Sequence, residues 1–473
     1  MKRALCAAVC AALMFSLSGC SGDTVSSGSG QTSPSESTNS GEPAAVIPME
    51  DPYYTPDYNP ESLSDTWGGM QKEILGEPGQ ETEALIPSVF LTVNGDISRD
   101  EYTECRIEID STMTDDYPST KPLSATIRGR GHSTWEWPKK PYKLKLDEKE
   151  SLLGMTASKN WALLSNYADE SMARNLIAFS MAEYLGSFEF TPKAVPVNLY
   201  MNGVYQGIYT LGELVEAKNS RLPLDERDDS PNTGYLLEVG GADPAYDARG
   251  LEFFDFPSGC AKNVMIKAPA DDKLNQENYD YIYKYVTLAD NAVTTLTNYD
   301  TYIDTDNFID WFILHELTYN ADSCFHRSCF LTKDRGQRLK MGPVWDFDLA
   351  FGNMYADNPR YDDWATVGNS NSSSYIGVNW FNYLMTDPDF RARARARWDE
   401  VKVGLLECAI STMEEAQKLI GASADENFAV WDTLSIANGF QPRQMAQYST
   451  YNEQIGYIRR FLNTRYKWID ENL

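Results

Sequence analysis

The chain has 473 residues, and its 69 Asp and Glu against 41 Lys and Arg give a formal net charge of −28 at pH 7. This acidic balance makes nucleic acid and anionic membrane surfaces poor partners overall. The 11 Trp and 28 Tyr residues are typical of a protein with a large aromatic core, or of one that contacts sugars or peptides.

The N-terminal residues predict export. Lys2 and Arg3 precede an apolar stretch of secretory-signal length, which ends in the tetrapeptide LSGC at Cys20. That tetrapeptide resembles a bacterial lipobox, in which the cysteine is lipidated. The residues that follow are too polar to order themselves. We therefore predict a lipoprotein signal peptide at 1–20, a disordered Ser/Gly/Pro-rich spacer and lead-in at 21–84, and a body anchored to the outer face of the bacterial cell membrane.

The first half of the body, from residue 85, is rich in strand patterns. Segments that alternate or run apolar over strand lengths are SVFLTV, ECRIEID, LSATIRGRG, PYKLKLD and KNWALLSN. A helix is predicted from about Asp169 to Leu185, since Asp169 can cap it and apolar residues recur near one face. Asn202-Gly203 between two apolar runs predicts a hairpin.

The second half of the body is mostly helical. Helices are predicted at 275–297, 304–319, 377–386, 390–420 and 440–472, with a β insertion of CFLTKD, a turn and RLKMGPVWDFD between the second and the third. This order predicts an α+β, atypical protein-kinase-like two-lobe fold. The β-rich N-lobe with one inserted helix would cover 85–215, and the mainly helical C-lobe with a small β-hairpin would cover 216–473.

Five cysteines lie beyond the predicted signal and anchor, at positions 105, 260, 324, 329 and 408. Because five is odd, at least one thiol is predicted to be free or to pair between chains. The spacing contains no Cys-x-x-Cys pair that would suggest zinc. A disulfide framework is not indicated.

Two aspartates are candidates for one acidic site. Asp322 follows a buried helix, and Asp346 follows the β insertion 24 residues later. Because a hairpin returns its ends to nearly the same place, both are predicted to face one cleft. One acid could orient a nucleophile while the other holds a cation, as phosphoryl transfer requires. The alternative is that each aspartate simply caps a turn or a strand end.

A basic segment rich in glycine precedes these acids. RGRGHSTWEWPKKPYKLKL carries six cations and one acid in a protein of net charge −28. This local reversal of charge predicts an anion site, and Gly129 and Gly131 would let backbone amides approach a phosphate. In the strand PYKLKL, Lys143 and Lys145 share the polar face. The segment is neither a Walker A motif nor a complete Gly-x-Gly-x-x-Gly.

Together these segments resemble the spore-coat protein H (CotH) kinase-like family over roughly residues 85–420. The resemblance rests on RGRGHSTWEWPKKPYKLKL, WALLSNYADESMARNLIAFSMAEYLG, VNLYMNGVYQGIYTLGELVE, GYLLEV, NADS and GPVWDFDLAFGN. It implies an atypical kinase that binds ATP and Mg²⁺ or Mn²⁺ in a cleft between the lobes. The implied roles are catalysis for Asp322, metal binding for Asp346 with Asp348, phosphate contact for Lys145 or else Lys143, the loop above the phosphates for Arg128, and the nucleobase edge for Glu213.

One position departs from the kinase pattern. Kinases carry a metal-binding asparagine five residues past the catalytic aspartate, and here that position is Arg327, which has no lone pair to donate. Either one metal suffices with Asp348 or another group helping, or Arg327 replaces the second cation, or the site has lost transfer chemistry. The sequence therefore supports two hypotheses. The first is an exported, lipid-anchored kinase that phosphorylates Ser or Thr of a surface protein. The second is an inactive kinase-like surface module that binds a protein or glycan.

Competing chemistries find less support. The chain has only three histidines and no Gly-x-Ser-x-Gly element, so a Ser-His-Asp hydrolase is disfavoured. Asp346 and Asp348 could pair as glycosidase carboxylates, but alternate residues of a strand are expected to point to opposite faces. The polar segment 352–377 is the predicted place for a protein substrate, although a plain surface loop is equally compatible.

Overall fold

The computed structural model of the chain describes residues 86–112, 116–131, 133–218, 220–240, 250–270, 272–354, 362–368, 377–434 and 443–473. The predicted signal peptide at 1–20 and spacer at 21–84 lie outside the described residues. So does much of the polar segment 352–377. Among the described residues, no helix is both long and apolar enough to cross a membrane.

Seven strands form a closed barrel. In chain order they are β1 (Ser88–Val93), β2 (Thr103–Asp110), β3 (Thr120–Gly129), β4 (Tyr142–Glu150), β5 (Ser158–Leu164), β6 (Ala194–Met201) and β7 (Val204–Glu213). The order around the barrel is β1-β2-β3-β4-β5-β7-β6, and β1 closes it by pairing in parallel with β6. The predicted hairpin at Asn202-Gly203 is confirmed, because β6 and β7 pair antiparallel across it.

Side chains along each strand alternate between the apolar interior of the barrel and its outer surface. In β4, Leu144 and Leu146 are fully buried, whereas Lys143 is half-buried and Lys145 is exposed. The inward residues of the strands form one apolar core, in which burial of apolar surface stabilises the closed sheet. Its members include Val89, Leu91, Ile107, Ile127, Leu144, Trp161, Leu163, Val197, Leu199, Tyr209 and Leu211.

Two helices interrupt the barrel strands. A short helix, α1 (Ser133–Glu136), joins β3 to β4, and α2 (Arg174–Leu185) joins β5 to β6. The predicted start of α2 near Asp169 was early. Asp169 does not cap the helix, because its carboxylate instead accepts hydrogen bonds from residues 171 and 174.

The remaining helices form a second core. They are α3 (Gln276–Thr294), α4 (Thr305–Thr318), α5 (Trp380–Leu384), α6 (Pro388–Val430) and α7 (Tyr451–Asn472), with 3-10 turns at Tyr299–Thr301 and Arg443–Gln447. The predicted helix at 390–420 is longer than expected. The predicted helix at 440–472 begins only at Tyr451, where Thr450 and Glu453 form a capping box.

The helical region contains more sheet than the sequence predicted. Three additional strands, β8 (Tyr235–Val239), β9 (Phe253–Phe254) and β10 (Val264–Ala268), precede the expected hairpin of β11 (Cys329–Lys333) and β12 (Leu339–Met341). The five strands form one antiparallel sheet of order β12-β11-β8-β10-β9. The chain thus has a mixed α+β fold. The five cysteines within the described residues are free thiols.

A buried lysine connects the barrel to α6. Lys139 donates from its Nζ atom to the Ile208 carbonyl of β7 at 2.6 Å and to Asn427 Oδ1 of α6 at 2.9 Å. The same Asn427 oxygen accepts the Ile208 amide at 2.9 Å. The barrel is therefore held against the longest helix by direct polar contacts as well as by packing.

Candidate functional site

A cavity of about 1530 Å³ lies where the barrel meets the helical region. The barrel contributes residues from the β3–α1 loop, β4, β5 and the segment after β7. The helical region contributes residues that follow α4 and β12. The polar side chains of the lining that matter below are Arg128, Arg130, Lys143, Asn175, Glu216, Lys218, Asp322, Arg327, Ser328, Asp346 and Asp348.

Three carboxylates meet in this cavity. Asp322 follows the buried helix α4, and Asp346 and Asp348 follow β12, so both ends of the intervening segment reach one place, as the hairpin argument predicted. The expectation that Asp346 and Asp348 point to opposite faces was wrong. Asp346 has a left-handed backbone with φ of 69°, which breaks the strand alternation. The two carboxyl groups consequently line the same cavity.

Burial and mutual repulsion perturb two of these acids. Burial and the charge of Asp346 raise the pKa of Asp322 to about 6, against the opposing charge of Arg327. Burial, with Asp346 and Asp322 nearby, raises the pKa of Asp348 well above its usual range. Asp348 therefore takes up a proton more readily than an isolated aspartate does. A divalent cation would supply the missing positive charge in place of that proton.

The acidic turn, defined as residues 346–350, is held by hydrogen bonds from neighbouring elements. Asn175 of α2 accepts the Phe347 amide through its side-chain oxygen at 2.9 Å. Asn320 donates from its side-chain amide to the Asp346 carbonyl at 3.0 Å. Ser328 donates its hydroxyl to the Asp346 carboxylate at 2.8 Å. These contacts fix the main chain and one carboxylate of the turn.

A buried ion pair also supports the acidic turn. Arg174, the first residue of α2, pairs with Asp169, and their side chains are 0% and 1% exposed. The same guanidinium donates from Nε to the Ala350 carbonyl at 3.1 Å. The glutamate of α2, Glu183, lies 3.8 Å from the exposed Lys193 rather than beside a lysine of the cavity. The structure shows instead that α2 contacts the acidic turn directly, through Arg174 and Asn175.

The glycine-rich segment supplies two arginines, each with one buried nitrogen atom that lacks a hydrogen-bond partner among the described residues. These two atoms are Arg128 Nε and Arg130 Nη1. Arg130 lies over the Trp345 ring at 5.3 Å, and Arg128 lies over the Tyr102 ring at 4.8 Å. Burial lowers the pKa of Arg130, and the charges of Asp346 and two further acids oppose that shift. Buried donors of this kind are expected to meet an anion.

Gly131 is required by the shape of this segment. Its φ of +85° is left-handed, and a Cβ atom there would overlap the Thr134 hydroxyl. Gly129 is equally confined, because a Cβ atom there would enter the Trp135 ring. Both glycines line the cavity. Glycine at both positions therefore allows this loop to pack closely against Thr134 and Trp135 where it lines the cavity.

The two candidate lysines of β4 differ in their position relative to the cavity. Lys143 lines the cavity, whereas Lys145 is exposed, does not line it and lies 5.9 Å from the centre of the Tyr102 ring. Burial lowers the pKa of Lys143, and the Glu216 carboxylate opposes this most strongly. Lys143, which the resemblance ranked second, therefore has the position from which a phosphate could be contacted.

Glu213 is not brought to the cavity. It forms an ion pair with Arg221 at 2.9 Å, and both side chains are at most 2% exposed. Its carboxylate also accepts the Thr156 amide at 3.2 Å and the Lys193 amide at 3.0 Å. Glu213 therefore holds the end of β7 in place. Glu216, three residues further on, lines the cavity instead.

Arg327 is exposed, and its positive charge acts to lower the pKa of Asp322. The next residue, Ser328, supplies the hydroxyl that contacts Asp346. Its φ of 48° is left-handed, which turns this side chain toward the acidic turn. The sequence comparison with kinases aligned position 327 with the metal-binding asparagine and therefore missed Ser328. Arg130 was one of the six cations that predicted an anion site, but it was given no role of its own, although its spacing of two from Arg128 was a usable signal.

The residues present fit a nucleotide with its cation. Within the described parts of the chain, no group of three or more His, Cys, Asp or Glu side chains has metal-binding geometry. Mg²⁺, however, usually takes one or two carboxylates and completes its shell with phosphate oxygens and water. Asp346 and Asp348 would hold the cation, and Arg128, Arg130 and Lys143 would meet the phosphates.

The chain has a mixed α+β fold, and its cavity brings three carboxylates together with a basic, glycine-rich segment. A family model described as CotH kinase protein matches residues 127–469, so the chain belongs to the CotH kinase family. The predicted family is therefore confirmed, and the match begins within β3 and ends within α7. A comparison with curated proteins found no significant match.

Proposed function

We propose that the protein is an atypical protein kinase that transfers the γ-phosphoryl group of ATP to a Ser or Thr hydroxyl of a surface protein. In this proposal the barrel part, 85–215, serves as the N-lobe and residues 216–473 as the C-lobe. The observation that carries the proposal is the meeting of Asp322, Asp346 and Asp348 with the unpartnered arginine nitrogens of the β3–α1 segment in one cavity. Family membership supports the same chemistry.

The side chains divide the work of the reaction. Asp346 and Asp348 hold the cation, which shields the charge of the phosphates when it is bound. Arg128, Arg130 and Lys143 orient the phosphate oxygens. A bond forms between the acceptor oxygen and the γ-phosphorus, the bond to the bridging oxygen breaks, and ADP leaves. Asp322 orients the acceptor hydroxyl and takes its proton, because a carboxyl group with a pKa of about 6 is ionised at neutral pH.

Transfer is tested with γ-labelled ATP and Mg²⁺ or Mn²⁺, using the purified chain and casein as acceptor. We expect wild-type protein to label itself or the casein. Asp322→Asn should abolish labelling while retaining Mg²⁺-dependent ATP binding, and Asp346→Asn should abolish both. Glu407→Gln, which removes an exposed carboxylate of α6 outside the cavity lining, is the control and should leave both unchanged. Equal labelling by wild type and both site variants would refute the proposal.

A second candidate is a kinase-like module that binds a protein or glycan without transfer. Arg327 favours it, because this exposed cation occupies the position at which kinases carry a metal-binding amide. A ligand that binds only the folded state must raise the melting temperature. No label together with no thermal shift at millimolar ATP and Mg²⁺ would favour this module over the kinase.

We also propose that the protein is exported and anchored through Cys20. The support is the sequence pattern of Lys2, Arg3, the apolar stretch and LSGC. Cys20→Ser should prevent incorporation of labelled fatty acid and should release the protein from the membrane fraction. Lipid labelling that persists in Cys20→Ser would refute the anchor site.

A further inference from the structure

Glu216 carries a carboxylate oxygen for which the protein provides no donor. Its side chain is 15% exposed and lines the cavity just after β7. The Oε1 atom accepts a hydrogen bond from the Asn160 side-chain amide at 2.7 Å and lies 3.3 Å from the Lys218 ammonium. The Oε2 atom is buried and has no hydrogen-bond partner among the described residues. An unsatisfied buried acceptor is costly, so Oε2 is expected to meet a donor from outside the chain.

The surroundings of Glu216 are suited to a flat, partly apolar group. Cavity-lining residues next to it in the chain are Val215 and Ala217, and Leu236, Ala268 and Phe330 of the five-stranded sheet also line the cavity. All five belong, with Leu222, to one small apolar cluster or pack against it. Apolar walls with one aimed polar group are the usual composition of a small-molecule site.

The unsatisfied acceptor and the unsatisfied donors belong to different parts of the cavity. Arg130 interacts with the acids of the acidic turn, whereas Glu216 interacts with Lys218 and Asn160. Lys143 also lines the cavity, and its pKa responds both to Glu216 and to Arg130. A ligand that satisfies both parts needs an anionic end and, beyond it, a group that donates hydrogen bonds. A nucleoside triphosphate has both.

We propose that Glu216 Oε2 accepts a hydrogen bond from the nucleoside part of the bound nucleotide, and that Glu216 rather than Glu213 is the acidic residue that recognises it. This inference rests on the proposed function for the presence of a nucleotide, but it does not require transfer. The donor is either a ribose hydroxyl or the amino group of the base. These two sources share the same chemistry and are distinguished by the choice of ligand.

The experiment measures dissociation constants by calorimetry for wild type and Glu216→Gln, with Mg²⁺ present. The probes are ATP, 2′-deoxy-ATP, 3′-deoxy-ATP, purine riboside triphosphate, which lacks the amino group, and inorganic tripolyphosphate. A hydrogen bond to a charged acceptor predicts that Glu216→Gln binds ATP roughly 10- to 100-fold more weakly. One of the three analogues, the one that lacks the donor group, should bind wild type as weakly as ATP binds Glu216→Gln. The affinity for that analogue should not change with the substitution. Tripolyphosphate should bind both proteins alike.

Two controls separate recognition from charge and folding. Lys218→Gln removes the half-exposed cation from the other carboxylate oxygen and should preserve the ranking of the five probes. Thermal unfolding checks that Glu216→Gln is folded. Equal ATP affinity in wild type and variant, an equal loss for ATP and tripolyphosphate, or no discrimination among the analogues would overturn this inference alone. Absence of nucleotide binding by wild type would overturn the proposed function as well.

Discussion

Replacing Arg174 with methionine tests how the acidic turn is held. Arg174 is fully buried, pairs with Asp169 and donates to the Ala350 carbonyl at 3.1 Å. Removing one partner of a buried ion pair costs about 3–5 kcal/mol, because the other charge stays buried. The Asp169 carboxylate keeps the amides of residues 171 and 174, each at 3.1 Å, as donors. We therefore expect a loss near the lower limit, about 3 kcal/mol.

The same substitution should weaken nucleotide binding. Ala350 loses a charged donor, and a hydrogen bond of that kind contributes about 1.5–3 kcal/mol. Without this hydrogen bond the acidic turn is held less firmly, so part of the lost free energy should appear as weaker ligand binding. We therefore expect Mg²⁺-dependent ATP affinity to fall by roughly tenfold. Stability is measured by urea unfolding, followed by Trp fluorescence. ATP affinity is measured by calorimetric titration without urea, at a temperature at which the variant is folded.

Arg393→Met is the matched control for Arg174→Met. Arg393 also forms two ion pairs, with Asp300 at 2.9 Å and Asp306 at 2.8 Å, but it is 38% exposed. Exposed pairs contribute about 0–1 kcal/mol, so this variant should unfold almost as wild type does and bind ATP normally. If the two variants lose the same stability, or if Arg174→Met binds ATP as wild type does, the role assigned to the buried pair is wrong.

Three further predictions concern the cavity itself. Because burial and Asp346 raise the pKa of Asp322 to about 6, the transfer rate should rise about tenfold per pH unit below pH 6 and level off above it. A flat rate between pH 5 and 7 would contradict this. The same raised pKa means that protonated Asp322 favours the folded state, so its contribution to metal-free stability should be lost as pH rises from about 4 to 6. Lys143→Met should lower the affinity for ATP and for tripolyphosphate in calorimetry, whereas Lys145→Met, on the same strand face but exposed, should alter neither; the reverse result would restore Lys145 as the phosphate contact. Gly131→Ala should weaken ATP binding through a strained and crowded backbone, and Gly336→Ala, at φ +69° with open space around it, should affect only stability, by about 1 kcal/mol.

Much of the fold followed from local pattern. Alternation along the strands and the Asn202-Gly203 turn correctly placed most of the barrel strands, because a two-residue period determines which side chains enter the core. The prediction that the β11–β12 hairpin returns its ends to nearly the same place was correct, since Asp322 and Asp346 line one cavity. The sheet around β8 was missed, since a short apolar run does not distinguish a strand from a buried loop without its partners.

The differences between predicted and observed positions at the site have one physical origin. Lys143 and Lys145 share a strand face, and only the packing of the helical region decides which of them is covered. Glu213 and Glu216 differ in the same way, because the first is enclosed by Arg221 and the second opens to the cavity. Asp348 reaches the cavity only through the left-handed backbone of Asp346. Tertiary contacts determine all three outcomes, and periodicity within a strand does not contain that information.

The local backbone also changes the meaning of Arg327. In the kinase pattern, the amide at this position supplies a ligand to the second metal. In this chain a second carboxylate, Asp348, follows the left-handed backbone of Asp346 into the cavity, and the Ser328 hydroxyl donates a hydrogen bond to the Asp346 carboxylate. Arg327 adds positive charge beside Asp322 rather than removing a group on which the cation depends. Arg327 alone therefore does not decide between the two proposed functions, because the acidic turn still carries two carboxylates, Asp346 and Asp348, in the cavity.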